Sequence, residues 1–119
     1  MKTIVITGLI LSAFSGVLTT GKATYYGQYW TGRLTASGER FHADSLTCAH
    51  KTLPFGTLLE VTDLNTKQKL TVKVNDRLPK SSGVLIDLTY GTAKKFGMLK
   101  KGVIKVSIEK VGTRKIYKK

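Results

Sequence analysis

Glu39, His50, Asp76 and Asp87 are the side chains whose settings suit proton transfer. Glu39 falls in TASGERF, a glycine-bearing loop where a solvated carboxylate is the plain alternative. Asp76 ends the valine-rich run VKVNDRLP, so a carboxylate stands beside the Arg77 cation where a pleat gives way to a loop. That arrangement suits either a structural ion pair or a positioned acid. Asp87 lies in GVLIDLT between Ile86 and Leu88, and on a strand its side chain faces away from theirs. If that face is buried the carboxylate must be hydrogen-bonded, and a structural role is the first reading. His50, in CAHKTLPFGT, has three readings: a proton carrier, a hydrogen-bond donor to substrate, or a staple of the turn made by Pro54 and Gly56.

Other chemistries find less support. His42 and His50 are eight apart, without a spaced Cys or carboxylate pattern, so no metal is expected. No glycine-rich phosphate loop precedes a helix, no Gly-x-Ser-x-Gly nucleophile elbow is present, and no cofactor is expected. Cys48 is the single cysteine; it can form no internal disulfide and reads as a small buried hydrophobe. Tyr25, Tyr26, Tyr29 and Trp30 form an aromatic cluster. Its default meaning is packing; its functional meaning is stacking against the apolar faces of sugar rings.

The elements that must position these groups read as strands. GKATYYG, TLLEVTDL, KLTVKVND, GVLIDLT and VIKVSIEKV alternate or are rich in β-formers, and glycine and asparagine turns separate them. One helix is expected over YGTAKKFGM, capped by Thr89, with Ala93, Phe96 and Met98 toward the core and Gly97 near its end. A small barrel or sandwich is the architecture these short strands suggest.

Residues 1–20 place Lys2 before an almost uncharged apolar run and then small and polar residues, the layout of a secretory signal peptide. An N-terminal membrane anchor is the alternative, since the run approaches the roughly 20 residues that span a bilayer. An exported protein, periplasmic or extracellular, is expected. The formal charge is +13, from 20 Lys and Arg against 7 Asp and Glu. Lysine supplies most of the positive charge and is scattered, which favours a soluble basic surface or weak attraction to wall polyanions over a nucleic-acid partner.

ATYYG, GRLTASGERF, TCAHKTLPFGTLLEVTDL, VKVNDRLP, GVLIDLT and FGM occur in the order and spacing of the rare lipoprotein A family, which this chain resembles over nearly all of residues 21–111. The resemblance implies a mainly β fold, a six-stranded double-psi β-barrel with one or two short helices, between a leader at 1–20 and a basic tail at 112–119. It further implies a lytic transglycosylase that cuts the bond from N-acetylmuramic acid to N-acetylglucosamine in peptidoglycan strands, in active members strands stripped of stem peptides. A non-catalytic, expansin-like polysaccharide-binding module is the alternative, because one fold hosts several functions.

By that resemblance Glu39, His50 and Asp76 are the residues needed for cleavage. Asp76 is assigned the acid/base role, Glu39 that of second carboxylate, and His50 that of a hydrogen-bonding partner setting their protonation; the two carboxylate roles are exchangeable. Tyr25, Tyr26, Arg77 and Asp87 are expected to bind substrate or support the site. The partners implied are glycan strands, with no nucleic acid, no stable membrane insertion after leader cleavage, and a monomer. The chain departs from the family pattern at Leu78, where members usually carry glycine; no lipid-attachment cysteine ends the apolar run of residues 1–20, and the glycan-binding repeat domain often appended in the family is not expected.

Overall fold

The computed structural model describes residues 17–118. Six strands, β1 (Thr19–Tyr25), β2 (Thr47–His50), β3 (Thr57–Asp63), β4 (Lys69–Arg77), β5 (Ile86–Leu88) and β6 (Ile104–Thr113), close a barrel in the order β1-β5-β2-β4-β3-β6. β1 pairs in parallel with β5 and β2 with β4; the other four pairings are antiparallel. One helix, α1 (Tyr90–Phe96), and a 3-10 turn at Gln28–Trp30 complete the elements.

Alternation along the strands builds the core. In β3, Thr57, Leu59, Val61 and Asp63 are buried while the residues between them are partly exposed, the pattern of a strand with one face inside. Ala23, Cys48, Val72, Val74, Ile86, Leu88, Val106 and Ile108 fill the interior from the other strands. Complete burial of a Val, Leu or Ile side chain stabilises by about 1.5–3 kcal/mol, so this set is the main support of a fold whose only cysteine is free. Helix α1 follows its sequence: Thr89 Oγ1 accepts from the Thr92 N–H, Gly97 terminates it at φ 69°, and Ala93, Phe96 and Met98 are buried.

The structure departs from the sequence reading at three places. The TCAH segment, absent from the strands expected from sequence, is strand β2, held by β4 on one side and β5 on the other. Thr19 and Thr20, placed in the leader, already pair with Ile108 and Ser107. The basic tail is docked: Gly112 and Thr113 pair with β3, and the Arg114 N–H donates to the Gly56 carbonyl at 2.7 Å. Gly56 (φ +94°) makes that approach possible, because a Cβ there would lie 2.6 Å from the Arg114 carbonyl oxygen.

Candidate active site

Strand register assembles the site. Ala49 on β2 pairs with Asp76 on β4 and with Asp87 on β5, and Asp87 pairs with Thr24 on β1. Two carboxylates therefore flank one alanine, with Cα atoms about 10 Å apart given the strand spacing. A β-bulge makes this possible: Cys48 pairs with Val74 and Ala49 with Asp76, leaving Asn75 as the extra residue. Without that insertion strict alternation would send Asp76 to the interior side, with Val72 and Val74; bulges re-aim side chains in this way.

Asp76 is held at one oxygen and open at the other. Its Oδ1 accepts from the Ala36 and Arg77 N–H groups at 3.0 and 2.9 Å, and its Oδ2 takes a long 3.4 Å contact from the Tyr26 hydroxyl. Tyr26 stacks on Phe41 with ring centroids 4.9 Å apart. Burial, then the charges of Asp76 and Asp87, push the Tyr26 phenol far up, so it stays a neutral donor. Asp87 accepts from the Thr24 hydroxyl at 2.8 Å. Its pKa is raised, by burial first and then by the Asp76 charge, against the lowering effect of Thr24. Asp76, Tyr26, Phe41, Trp30 and Thr35 line a cleft of about 60 Å³. Tyr29 and Trp30, 82% and 39% exposed, stand beside it on the surface.

Glu39 lies near Asp76 but in a different hollow. The turn at Ser37 and Gly38 (φ +92°) delivers it: the Thr35 N–H donates to the Glu39 carbonyl at 2.8 Å, and the Ser37 N–H donates to the Asn75 carbonyl at 3.2 Å. Its Oε2 accepts from Lys73 Nζ at 2.7 Å and from the Tyr117 N–H at 2.8 Å, while Oε1 accepts from the Asn75 amide at 2.9 Å. Burial raises the Glu39 pKa, but the hydrogen bonds from Lys73, Tyr117 and Asn75 outweigh it and leave the carboxyl below its ordinary value. A group so held is an anion and a fastener, poorly suited to giving up a proton.

His50 faces elsewhere. Alternation on β2 turns it away from the side of Ala49, and it borders an apolar hollow of about 570 Å³ with Leu53, Leu59, Val84, Leu85 and Ile108. No carboxylate lines that hollow. The His50 Nδ1 accepts from the Thr52 and Leu53 N–H groups, both at 3.1 Å, so its proton sits on Nε2. Burial, then the Arg77 and Lys51 cations, lower its pKa. It hydrogen-bonds neither Asp76 nor Glu39. The expected partnership with the carboxylates is replaced by a staple on the Pro54 and Gly56 turn, one of the sequence readings.

Arg77, next along β4, also turns away from Asp76. Its guanidinium lies 4.1 Å over the Phe55 ring and reaches the His50 and Asp76 carbonyls at 3.4 Å, a packing role in place of the ion pair considered from sequence. Tyr25 is likewise committed, its hydroxyl bonded to the Leu99 carbonyl at 2.8 Å and its ring edge-on to Tyr90. Leu78 causes no distortion: among the described non-glycine residues only Lys67 has a positive φ, and the Leu78 N–H bonds the His50 carbonyl at 3.3 Å. Sequence reasoning missed Thr24 and Phe41, the supports of Asp87 and Tyr26; both are ordinary strand-former types, and only the register reveals them.

Comparison with known proteins agrees with this architecture. The family model for lytic transglycolase, a double-psi β-barrel domain, matches residues 18–108. An Aquifex aeolicus protein named probable endolytic peptidoglycan transglycosylase RlpA is 51% identical over 84 residues, 71% of this chain and 37% of that protein. The Campylobacter jejuni endolytic peptidoglycan transglycosylase RlpA is 42% identical, over 77% of this chain and 34% of its own. The chain thus spans about a third of the length of these relatives. Among solved structures, a Streptomyces papain inhibitor superposes with TM-score 0.63 at 27% identity, over 82% of this chain and 96% of its own. A mutant Clavibacter michiganensis expansin in complex with cellohexaose gives 0.64 at 22%, over 81% and 51%, which speaks for the fold alone. With its six-stranded barrel, the chain belongs to the lytic transglycolase family of double-psi β-barrel domains.

Proposed function

We propose that this domain cleaves peptidoglycan glycan strands endolytically and without water, the C6 hydroxyl of N-acetylmuramic acid closing on its own anomeric carbon. The observation that carries the reading is the Asp76 and Asp87 pair across Ala49, with the open oxygen of Asp76 in a cleft beside exposed aromatic rings. A cleft of about 60 Å³ holds no whole sugar. A strand must lie across it, presenting only its glycosidic oxygen, and an open surface of this kind accepts the middle of a polymer. The relatives' names, endolytic peptidoglycan transglycosylase, support the same substrate class.

Asp76 donates a proton to the departing glycosidic oxygen as the bond to the anomeric carbon breaks. The C6 hydroxyl attacks that carbon, and its proton returns to the carboxylate, so acid and base are one group and no water is consumed. The nucleophile is tethered to the electrophile, which removes part of the entropic cost from the protein's task. Asp87, whose ionisation is disfavoured by burial first and by the Asp76 charge after it, keeps its own proton to higher pH than an isolated carboxyl would. Tyr26 orients the open oxygen. Glu39 and His50 act through the loops they fasten and are positioning residues in this scheme.

The site lies outside the membrane, where the wall is. Among the described residues no helix is long and apolar enough to cross a membrane. The test is digestion of intact sacculi and of peptide-free strands by the chain and by Asp76→Asn, with products identified by mass spectrometry. Anhydro-muramic ends from the unaltered chain alone are expected, more from peptide-free strands. Binding of both substrates with no cleavage by the unaltered chain would reduce the domain to a wall-binding module.

A further inference from the structure

Arg33 stands out among the arginines near the cleft because the fold uses its side chain for nothing. Arg40 donates to the Gly32 carbonyl at 3.1 Å and Arg77 is stacked on Phe55. Arg33 makes no ion pair and no side-chain hydrogen bond among the described residues, yet it is not loose. Its backbone is tied at both ends, the N–H to the Trp30 carbonyl at 3.1 Å and the carbonyl to the Phe41 N–H at 2.7 Å. Its guanidinium lies 4.8 Å over the Trp30 ring, and Arg33 and Trp30 border the same cleft as Asp76 and Tyr26.

A guanidinium stacked on an indole keeps its planar fork of N–H donors at the edge, ordered in advance and directed outward. Such a fork is shaped for a carboxylate, which accepts two parallel hydrogen bonds from it. On the substrate class proposed above, on which this inference rests, a carboxylate of that kind appears only after a chemical change. The lactyl group of N-acetylmuramic acid is an uncharged amide while a stem peptide is attached and a free carboxylate once the peptide is removed.

We propose that Arg33, its guanidinium placed over the Trp30 ring, binds the free lactyl carboxylate of a muramic acid residue lying across the Asp76 cleft, and so selects peptide-free strands. Selection arises from charge and hydrogen-bond geometry beside the reacting bond, with no need for a separate targeting domain. An amide at that position offers one neutral acceptor and leaves the guanidinium without its counter-charge. The reaction class that must act first is amide hydrolysis at the lactyl carboxyl.

The experiment uses glycan oligomers of alternating N-acetylglucosamine and N-acetylmuramic acid, either with free lactyl carboxylates or with every one converted to its methylamide. Cleavage by the unaltered chain and by Arg33→Gln is measured on both, and binding is measured by calorimetry in the Asp76→Asn background. The unaltered chain is expected to favour the free acid about five- to tenfold in rate and affinity. Arg33→Gln is expected to bring that ratio to about one, and Arg33→Lys to restore part of it. Equal cleavage of both oligomers by the unaltered chain overturns the inference and leaves the transglycosylase standing. Preferential binding of the acid that Arg33→Gln removes, with no cleavage of either, upholds the inference and removes the transglycosylase. A preference that survives Arg33→Gln places carboxylate recognition on another residue and overturns the assignment.

Discussion

Asp76 and Asp87 share a neighbour and differ in what surrounds them. Asp76 keeps an oxygen open toward the cleft, while Asp87 is bonded to Thr24 with its pKa raised. Replacing Asp76 by Asn keeps an acceptor for the Ala36 and Arg77 N–H groups, so the fold should survive while cleavage falls by about 10²- to 10⁴-fold, read in product yield beside a melting curve. The pH dependence at Asp87 has a definite sign. Between its ordinary value and the raised one, the folded chain keeps a proton the unfolded chain has lost, so stability falls as pH rises through that window. Asp87→Asn is expected to remove that slope from melting temperatures measured as a function of pH. His50 separates structure from chemistry. His50→Asn supplies an oxygen to accept from Thr52 and Leu53 and should preserve cleavage, whereas His50→Ala should cost about 1–2 kcal/mol in denaturant unfolding. The three residues singled out by resemblance can be named from the chain, but not the surroundings each meets, because a strand's alternation and a single bulge decide which face each side chain takes.

The element that reorganises the reading is the bulged end of β4 with the loop and tail packed on it. Glu39 joins three stretches of chain: its own loop, β4 through Lys73 and Asn75, and the C-terminal segment through the Tyr117 N–H. The Lys73 and Glu39 side chains are only 11% and 10% exposed, so breaking the pair strands a nearly buried charge. Glu39→Gln is expected to destabilise the domain by about 3 kcal/mol in urea unfolding. Any loss of cleavage should be recovered at lower temperature, which loss of a proton donor would not permit. Removing residues 114–119 withdraws the Tyr117 and Arg114 N–H bonds and should lower stability by about 1–3 kcal/mol. Most elements were legible: β1, β3, β4, β5, β6 and α1 all follow patterns visible in the chain. Strand β2 was not. Cys, Ala and His carry no period-two apolar signal, and the segment is a strand because two neighbours pair with it, information that lies 25 to 40 residues away. The tail looked like solvated charge because four of its last six residues are basic, while its docking is made through backbone groups that carry no sequence signature.

At the scale of the whole molecule, a closed barrel presents a wall of strands on which residues 26–41 and Asp76 frame the cleft, and the chain carries a net charge of +13. The positive field should draw the domain to an anionic wall over distances that salt shortens. Sacculus binding by the catalytically silent Asp76→Asn form is expected to weaken severalfold between about 0.05 M and about 0.5 M salt; retention unchanged by salt would remove charge from the account. Closure of the barrel, in contrast, should be insensitive to salt, since it rests on an apolar interior. The central claim concerns the reaction itself: a sugar hydroxyl, and not water, attacks the anomeric carbon beside Asp76. Digestion of peptide-free strands in heavy-oxygen water tests it most directly. The account predicts new anhydro-muramic ends with no heavy oxygen in them. Reducing ends carrying the heavy isotope would show a hydrolase and contradict it.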